Sequence, residues 1–171
     1  MTSIAPAPLR VLVAGASVAP DGGTRATLVH TLVAHLRRRG HEADSVVLPS
    51  HAEHALDHAC AWRMLNLSSS NARPIDLVIA TAFPAWCARH SRKVAWIADD
   101  DGLAADEGNG GSHRLVELDA RALAECRHVF AGRVSTAERV RRRSGIEAGL
   151  LAPPLHDQPL AWDIIIEQLL G

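Results

Sequence analysis

Along this chain, short runs that are apolar at almost every position alternate with longer segments whose apolar residues recur every three or four positions. Few architectures bury both kinds of segment. The runs are "LRVLVAG" (9–15), "SVVLP" (45–49), "IDLVIAT" (75–81), "KVAWIA" (93–98), "HVFAG" (128–132) and "GLLA" (149–152). A strand that is apolar on both sides of its pleat belongs in a sheet covered on both faces. Intervening helices are the natural cover.

The segments between the runs read as those helices. Leu28, Val29, Leu32, Val33 and Leu36 recur with helical spacing after Thr24, a candidate cap, and Arg37, Arg38 and Arg39 crowd the end before Gly40. Segment 51–67 reads as helix, and "SSSNARP" (68–74) as a polar loop. Pro84 can open a short helix. "DDDGLAADEGNGGS" (99–112) is an acidic, Gly-rich loop, and "HRLVELDARALAEC" (113–126) an amphipathic helix. "STAERVRRRSG" (135–145) reads as a helix capped by Ser135 or Thr136 and stopped by Gly145. After Pro153 and Pro154, residues Trp162, Ile165, Ile166, Leu169 and Leu170 form an apolar stripe suited to docking. The expected fold is α/β: a single Rossmann-like doubly wound parallel sheet of about six strands, helices on both faces, and a C-terminal docking helix.

Composition narrows the function. The chain has 171 residues, 47% of them apolar, which suits one domain with a sizeable core. Its formal charge is −1, and it has no Tyr and only 4% aromatic residues. Neither a general attraction to nucleic acid nor a base-stacking platform follows from that. Cys60, Cys87 and Cys126 are odd in number and far apart, which argues against a zinc ribbon or a disulfide framework and fits a reducing cytoplasm. No signal peptide and no apolar stretch of membrane-spanning length is read, so the expected location is cytoplasmic, with peripheral contact at the inner face of a membrane left open.

In a parallel sheet of this type, ligands bind beyond the carboxyl ends of the strands. The segments 15–23, 81–84, 98–112 and 132–135 should therefore share one edge. "GASVAPDGGTRATL" places Gly22, Gly23 and Thr24 where a helix N-terminus can hold an anion. It is neither GxGxxG nor a GK[ST] loop, and no acidic residue ends the second strand to hold a ribose, so no dinucleotide cofactor is expected. Asp99, Asp100 and Asp101 cluster where the fourth strand should end. Asp99 is the candidate general base or sugar-hydroxyl acceptor, and a solvated loop is the bland reading. His51, His54 and His58 could share a helical face, but a solvated His-rich face is the better reading, and no metal is expected. Arg139, Arg142 and Arg143 could meet phosphate or simply lie on a solvated face. Cys87 and His90 read as a buried thiol and a surface imidazole. No nucleophile elbow appears.

Three stretches in order resemble the N-terminal domain of retaining family 4 glycosyltransferases of the GT-B fold. They are "RVLVAGASVAPDGGTRATLVHTLVAHLRRRGHEADSVVLP", "IDLVIATAFPAWCARHSRKVAWIADD" and "ALAECRHVFAGRVSTAERVRRRSGIEAGLLAPPL". The resemblance covers most of 9–155. It implies a two-domain enzyme in which this half chiefly holds the acceptor and a C-terminal domain binds the nucleotide sugar. By position, Gly22 and Gly23 would lie near the donor diphosphate, and Thr24 and Arg133 join them as the expected substrate- or donor-phosphate-binding residues. Asp99 stands where many members carry a His. Glu117 and Glu125 form E-x7-E, a donor-sugar spacing in some transferases, but they sit in the wrong half for that role and are treated as a decoy.

The resemblance divides the chain into an N-terminal-like domain (1–155) and a returning helix (156–171), with no separate donor-binding domain between them. The implied function is the acceptor-side half of a glycosyl transfer site, inactive alone. A donor-binding domain or partner chain, a sugar or lipid-linked acceptor, and self-association are the partners it suggests. The alternative is a non-catalytic binding or regulatory module that kept the half-fold.

Overall fold

The computed structural model describes residues 7–17, 23–104, 112–154 and 158–171, with the backbone alone over 23–26. The central element is a six-stranded parallel sheet. It comprises β1 (Arg10–Ser17), β2 (Glu42–Pro49), β5 (Leu77–Ala80), β6 (Lys93–Ile97), β7 (His128–Ala131) and β8 (Gly149–Leu150). Their order across the sheet is β2-β1-β5-β6-β7-β8. A two-stranded ribbon, β3 (Ser69–Ser70) with β4 (Arg73–Pro74), lies outside it and turns through Asn71 and Ala72, both at positive φ. The helices are α1 (Gly23–Arg38), α2 (Ala55–Met64), α3 (His113–Ala124), α4 (Val134–Ser144) and α5 (Pro159–Leu170).

The apolar strands behave as two-faced core strands must. Val11, Val13, Leu77, Ile79, Val94 and Trp96 pack with α1 and α5, while Ala14, Val78, Ala80, Ala95 and Ile97 face α2, α3 and the 3-10 turn Ala85–Cys87. This is the doubly wound arrangement expected from the sequence.

α5 docks through the stripe that its sequence displays. Trp162, Ile165, Ile166 and Leu169 are buried, and Leu170 is partly so. The Trp162 ring stacks on His35 of α1 at 4.7 Å and meets Trp96 of β6 edge-on at 6.0 Å. Trp96 Nε1 donates to the Leu151 carbonyl at 2.8 Å, so one central side chain ties the last strand segment to the last helix. Arg39 bridges to Asp163 at 3.4 Å and Glu167 at 3.2 Å on the rim.

Several boundaries differ from expectation. β2 begins at Glu42, ahead of 45, because its pairing with β1 starts at Arg10↔Glu42. Within 51–67 the helix is interrupted: a 3-10 turn, Ala52–His54, precedes α2. Pro84 follows a cis bond from Phe83 and leads into a 3-10 turn rather than an α-helix. α1 starts at Gly23, so Thr24 lies inside its first turn and not at a cap. α4 starts at Val134 with Arg133 as its N-cap, so neither Ser135 nor Thr136 caps it. The backbone explains this, since the Arg133 carbonyl already accepts the first helical bond from Ala137 N–H at 3.0 Å. Gly145 does stop α4, at φ 73°. No helix among the described residues is long and apolar enough to cross a membrane.

Candidate functional site

The chain leaves β1 toward β2 on one side and enters β5 on the other, so the strand order reverses between β1 and β5. That is the switch point at which open α/β sheets form a crevice outside their carboxyl ends. The segments following β5, β6 and β7 meet at this edge.

Their meeting is fixed by backbone bonds. Thr81, after β5, donates its N–H to Ala14 O at 2.9 Å and its hydroxyl to the same oxygen at 3.2 Å. Phe83 N–H donates to Gly102 O at 2.7 Å, joining the β5 and β6 exits. Gly132 N–H donates to Ile97 O at 2.8 Å, joining β7 to β6. Gly132 has no room for a side chain, because a Cβ there would lie 2.2 Å from Ala98 O.

The acidic cluster is organised by this frame. After Ala98 the chain makes the 3-10 turn Asp100–Gly102. Asp99 is its N-cap, and its Oδ1 accepts from Gly102 N–H at 3.2 Å. Asp100 Oδ1 accepts from the Thr136 hydroxyl at 2.5 Å, which anchors the turn to the first turns of α4. Arg139 Nη1 lies 3.5 Å from Asp100 O. Asp99 and Asp100 are half-buried and Asp101 is exposed. Carboxylates held this way keep acceptor lone pairs for further hydroxyl donors.

The remaining expected site residues divide. Arg133 is exposed at the N-terminus of α4, on the same edge as Asp99. Gly23 and Thr24 open α1, with only their backbone described, and Gly22 lies outside the described residues. The acidic loop beyond Ala104 lies outside them as well up to Ser112. His54 and His58 ring centroids are 6.2 Å apart, and His58 Nδ1 accepts from the His51 N–H at 3.2 Å. Among the described residues no three His, Cys, Asp or Glu are grouped to hold a metal ion.

The basic run of α4 is not one uniform face. Arg141 and Arg142 are exposed. Arg143 turns inward, donating to Ala104 O at 3.0 Å and to Asp119 Oδ2 at 3.1 Å. Trp86 Nε1 donates to the other Asp119 oxygen at 2.7 Å. Burial pushes the Asp119 carboxyl above its ordinary range, while Trp86 and Arg143 pull it back. The sequence does carry a signal for this group: Asp119 falls in helical register with Leu115 and Ala122 on the buried side of α3.

At the opposite edge of the sheet, Lys93 is fully buried at the start of β6. Its ammonium donates to Trp86 O and to Ala88 O, the latter at 2.8 Å. Burial lowers its proton affinity. Arg63 grips Glu125 with both terminal nitrogens, Nη2 at 2.6 Å from Oε1, and that pairing holds the Glu125 carboxyl below its usual range. Glu125 therefore serves this amino-end network, away from Asp99. Cys87 and Cys126 are pushed up to about 12 by burial, so neither presents a thiolate near neutral pH.

No protein-family model, curated protein or solved structure matches this chain.

Proposed function

We propose that the chain is the acceptor-side half of a nucleotide-sugar-dependent glycosyl transfer site, which turns over only with a donor-binding domain or partner chain. The observation that supports this reading is the carboxyl edge of the sheet, where Asp99 and Asp100, after β6, meet the N-terminal turns of α4, after β7. Half-buried carboxylates suit the hydroxyls of a sugar or lipid-linked acceptor, and Asp99 is the one placed at the strand end. Around the other side of α4, Val134 and Leu150 are large apolar side chains left 59% and 62% exposed, a surface a donor-binding domain would cover. Stabilising a departing nucleotide phosphate needs preorganised positive charge and N–H donors. On this reading that machinery comes from the donor side, with Gly22, Gly23, Thr24 and Arg133 approaching it from this chain.

One observation favours a second reading, a binding module without chemistry. Asp99 and Asp100 each accept a hydrogen bond from the chain itself, so both hold the turn in place. Titration calorimetry with sugar and lipid-linked acceptors and with nucleotide sugars, followed by turnover assays with and without donor-binding chains, separates the two. The half-site reading expects acceptor binding by the chain alone, weakened about tenfold by Asp99→Asn, and turnover only with a donor chain. Turnover by the pure chain, or a preference for nucleotide sugar over acceptor, sinks it. Acceptor binding with no turnover beside any donor chain selects the module.

A further inference from the structure

Three stretches meet where β1 begins: the end of α1, the start of β2 and the residues ahead of Arg10. α1 closes at Gly40, whose φ is 88°; Gly40 N–H donates to Arg37 O at 2.9 Å and His41 N–H to Leu36 O at 3.1 Å. This left-handed turn is a common helix ending, and it fixes the backbone of His41. From there the imidazole reaches the residue ahead of β1. Its Nδ1 accepts the Leu9 N–H at 3.1 Å, while Leu9 O accepts the Glu42 N–H at 2.9 Å.

Leu9 is thus tied at both backbone groups by consecutive residues, and only one of the ties can titrate. A backbone N–H only donates, so Nδ1 must offer its lone pair and the neutral ring carries its proton on Nε2. A proton on Nδ1 would set one donor against another and leave the Leu9 N–H without its acceptor. Upstream nothing replaces that bond: Pro8 has no N–H, and neither Ala7 nor Pro8 makes a hydrogen bond among the described residues. Downstream the strand is secured without the ring. Arg10 N–H donates to Asp76 Oδ2 at 2.7 Å, Asp76 N–H donates to Arg10 O at 2.8 Å, and the ladder to β5 begins at Val11↔Leu77.

We propose that His41 is a pH-sensitive latch: the neutral imidazole holds residues 7–9 against the α1–β2 corner, and its protonation in mild acid frees them while the sheet stays folded. Leu9 packs, partly buried, on the core beneath α1, so opening bares an apolar side chain at that corner.

The surroundings keep the latch shut when the ring is neutral and make protonation costly. Burial lowers the proton affinity of His41, and the Arg39 cation lowers it further. The carbonyl end of α1 favours a cation, but burial and Arg39 outweigh it. The carboxylates of the neighbouring elements are already engaged by arginines. Glu42 of β2 takes Arg73 at 2.8 Å and Arg10 at 3.8 Å, and Asp44 takes Arg37 at 2.9 Å. Asp76 takes the Arg10 N–H, and Asp163 and Glu167 of α5 take Arg39. Arg38 is turned to His35. The open form takes up its proton as pH falls through the ordinary 6.5, and the closed form only at lower pH. Closure is therefore complete above 6.5 and weakens as pH falls below it.

The test follows the Leu9 amide by hydrogen exchange in the full chain, from about pH 7.5 to about pH 5, after correction for the intrinsic pH dependence of exchange. Leu9 protection should fall about tenfold across that range, while Val11, Leu12 and Val13 keep theirs. His41→Asn places a side-chain oxygen where Nδ1 stands and does not titrate, so it should keep Leu9 protected throughout. His41→Phe should leave Leu9 open throughout. Nitrogen NMR of the parent should show the Nε2–H ring at neutral pH. Leu9 protection that ignores pH, or an Nδ1–H ring in the neutral parent, would overturn the proposal. So would a His41→Asn variant that opens in acid as the parent does, or β1 amides that open together with Leu9.

Discussion

The Arg143 guanidinium and the Asp119 carboxylate meet at 3.1 Å inside the protein, with only 8% and 2% of their side chains exposed. This pair joins α4 to α3 beneath the candidate site. Removing one partner leaves the other charge buried and uncompensated. Asp119→Ala should therefore cost about 3–5 kcal/mol in urea unfolding. The joint replacement Asp119→Leu with Arg143→Met removes both charges and should cost less, the remaining loss coming from the Trp86 indole N–H left without its acceptor. A larger loss in the double variant would show that the pair matters for more than its charges.

Two carboxylates should give opposite slopes of stability against pH. Glu125 is held below its ordinary 4.5 by the Arg63 hydrogen bonds. Its contribution is present above the unfolded value and lost as pH falls through the lowered folded value. Asp119 is raised above its ordinary 3.8, chiefly by burial. Above its ordinary value and below its raised one, the native state holds a proton that the unfolded chain has released, so stability from Asp119 falls as pH rises through that window. In urea titrations at stepped acid pH, Glu125→Gln should flatten the acid loss, by about 1 kcal/mol or less for so solvated a pair. Asp119→Asn should remove the opposing slope. Slopes that change in the same direction for both variants would contradict the assignment.

Gly132 should be intolerant of any side chain, since a Cβ would stand 2.2 Å from Ala98 O. Gly132→Ala must separate β7 from the β6 exit, at a cost of about 1–3 kcal/mol or more. Gly145→Ala is the control: nothing lies within 4 Å of its Cβ position, and only its positive φ is penalised, by about 1 kcal/mol. Thermal unfolding of both variants compares steric crowding with backbone strain. A Gly132→Ala loss no greater than that of Gly145→Ala would count against the close approach.

α5 should be indispensable to the α1 side of the sheet. Trp162→Ala should lower stability by about 3–5 kcal/mol. Deleting 159–171 removes Trp162, Ile165, Ile166 and Leu169 from the core together. At about 1.5–3 kcal/mol for each buried apolar side chain, their sum rivals the whole stability of an ordinary domain. The truncated chain should show no cooperative melt and should bind a hydrophobic dye. A truncated protein that melts as the full chain does would refute the docking.

What the sequence displayed of this fold was whatever depends on spacing. The central apolar runs became two-faced strands, and Trp162, Ile165, Ile166 and Leu169 became the buried stripe of α5, while "GLLA" formed only the exposed two-residue edge strand β8. What it hid depends on partners far along the chain. Thr136 looked like a cap, but its hydroxyl is drawn to Asp100, a contact set by where β6 and β7 end. Arg143 looked like part of a solvated basic face until α3 supplied Asp119. The carboxyl edge was legible as a place, because a parallel sheet fixes it. The engagement of Asp99 with Gly102 was not, because it follows from the tightness of a single turn.

The bond from Trp96 Nε1 to Leu151 O, with the Trp162 ring set against Trp96, has a consequence for synthesis. Strands are made in order, but the face that carries Val94 and Trp96 waits for α5, which follows every other described element. A chain emerging from the ribosome can complete its α2 and α3 layer first. It must carry the other face open, guarded only by α1, until α5 has cleared the exit tunnel. Through that interval the apolar row of Val94 and Trp96 is the surface most open to aggregation.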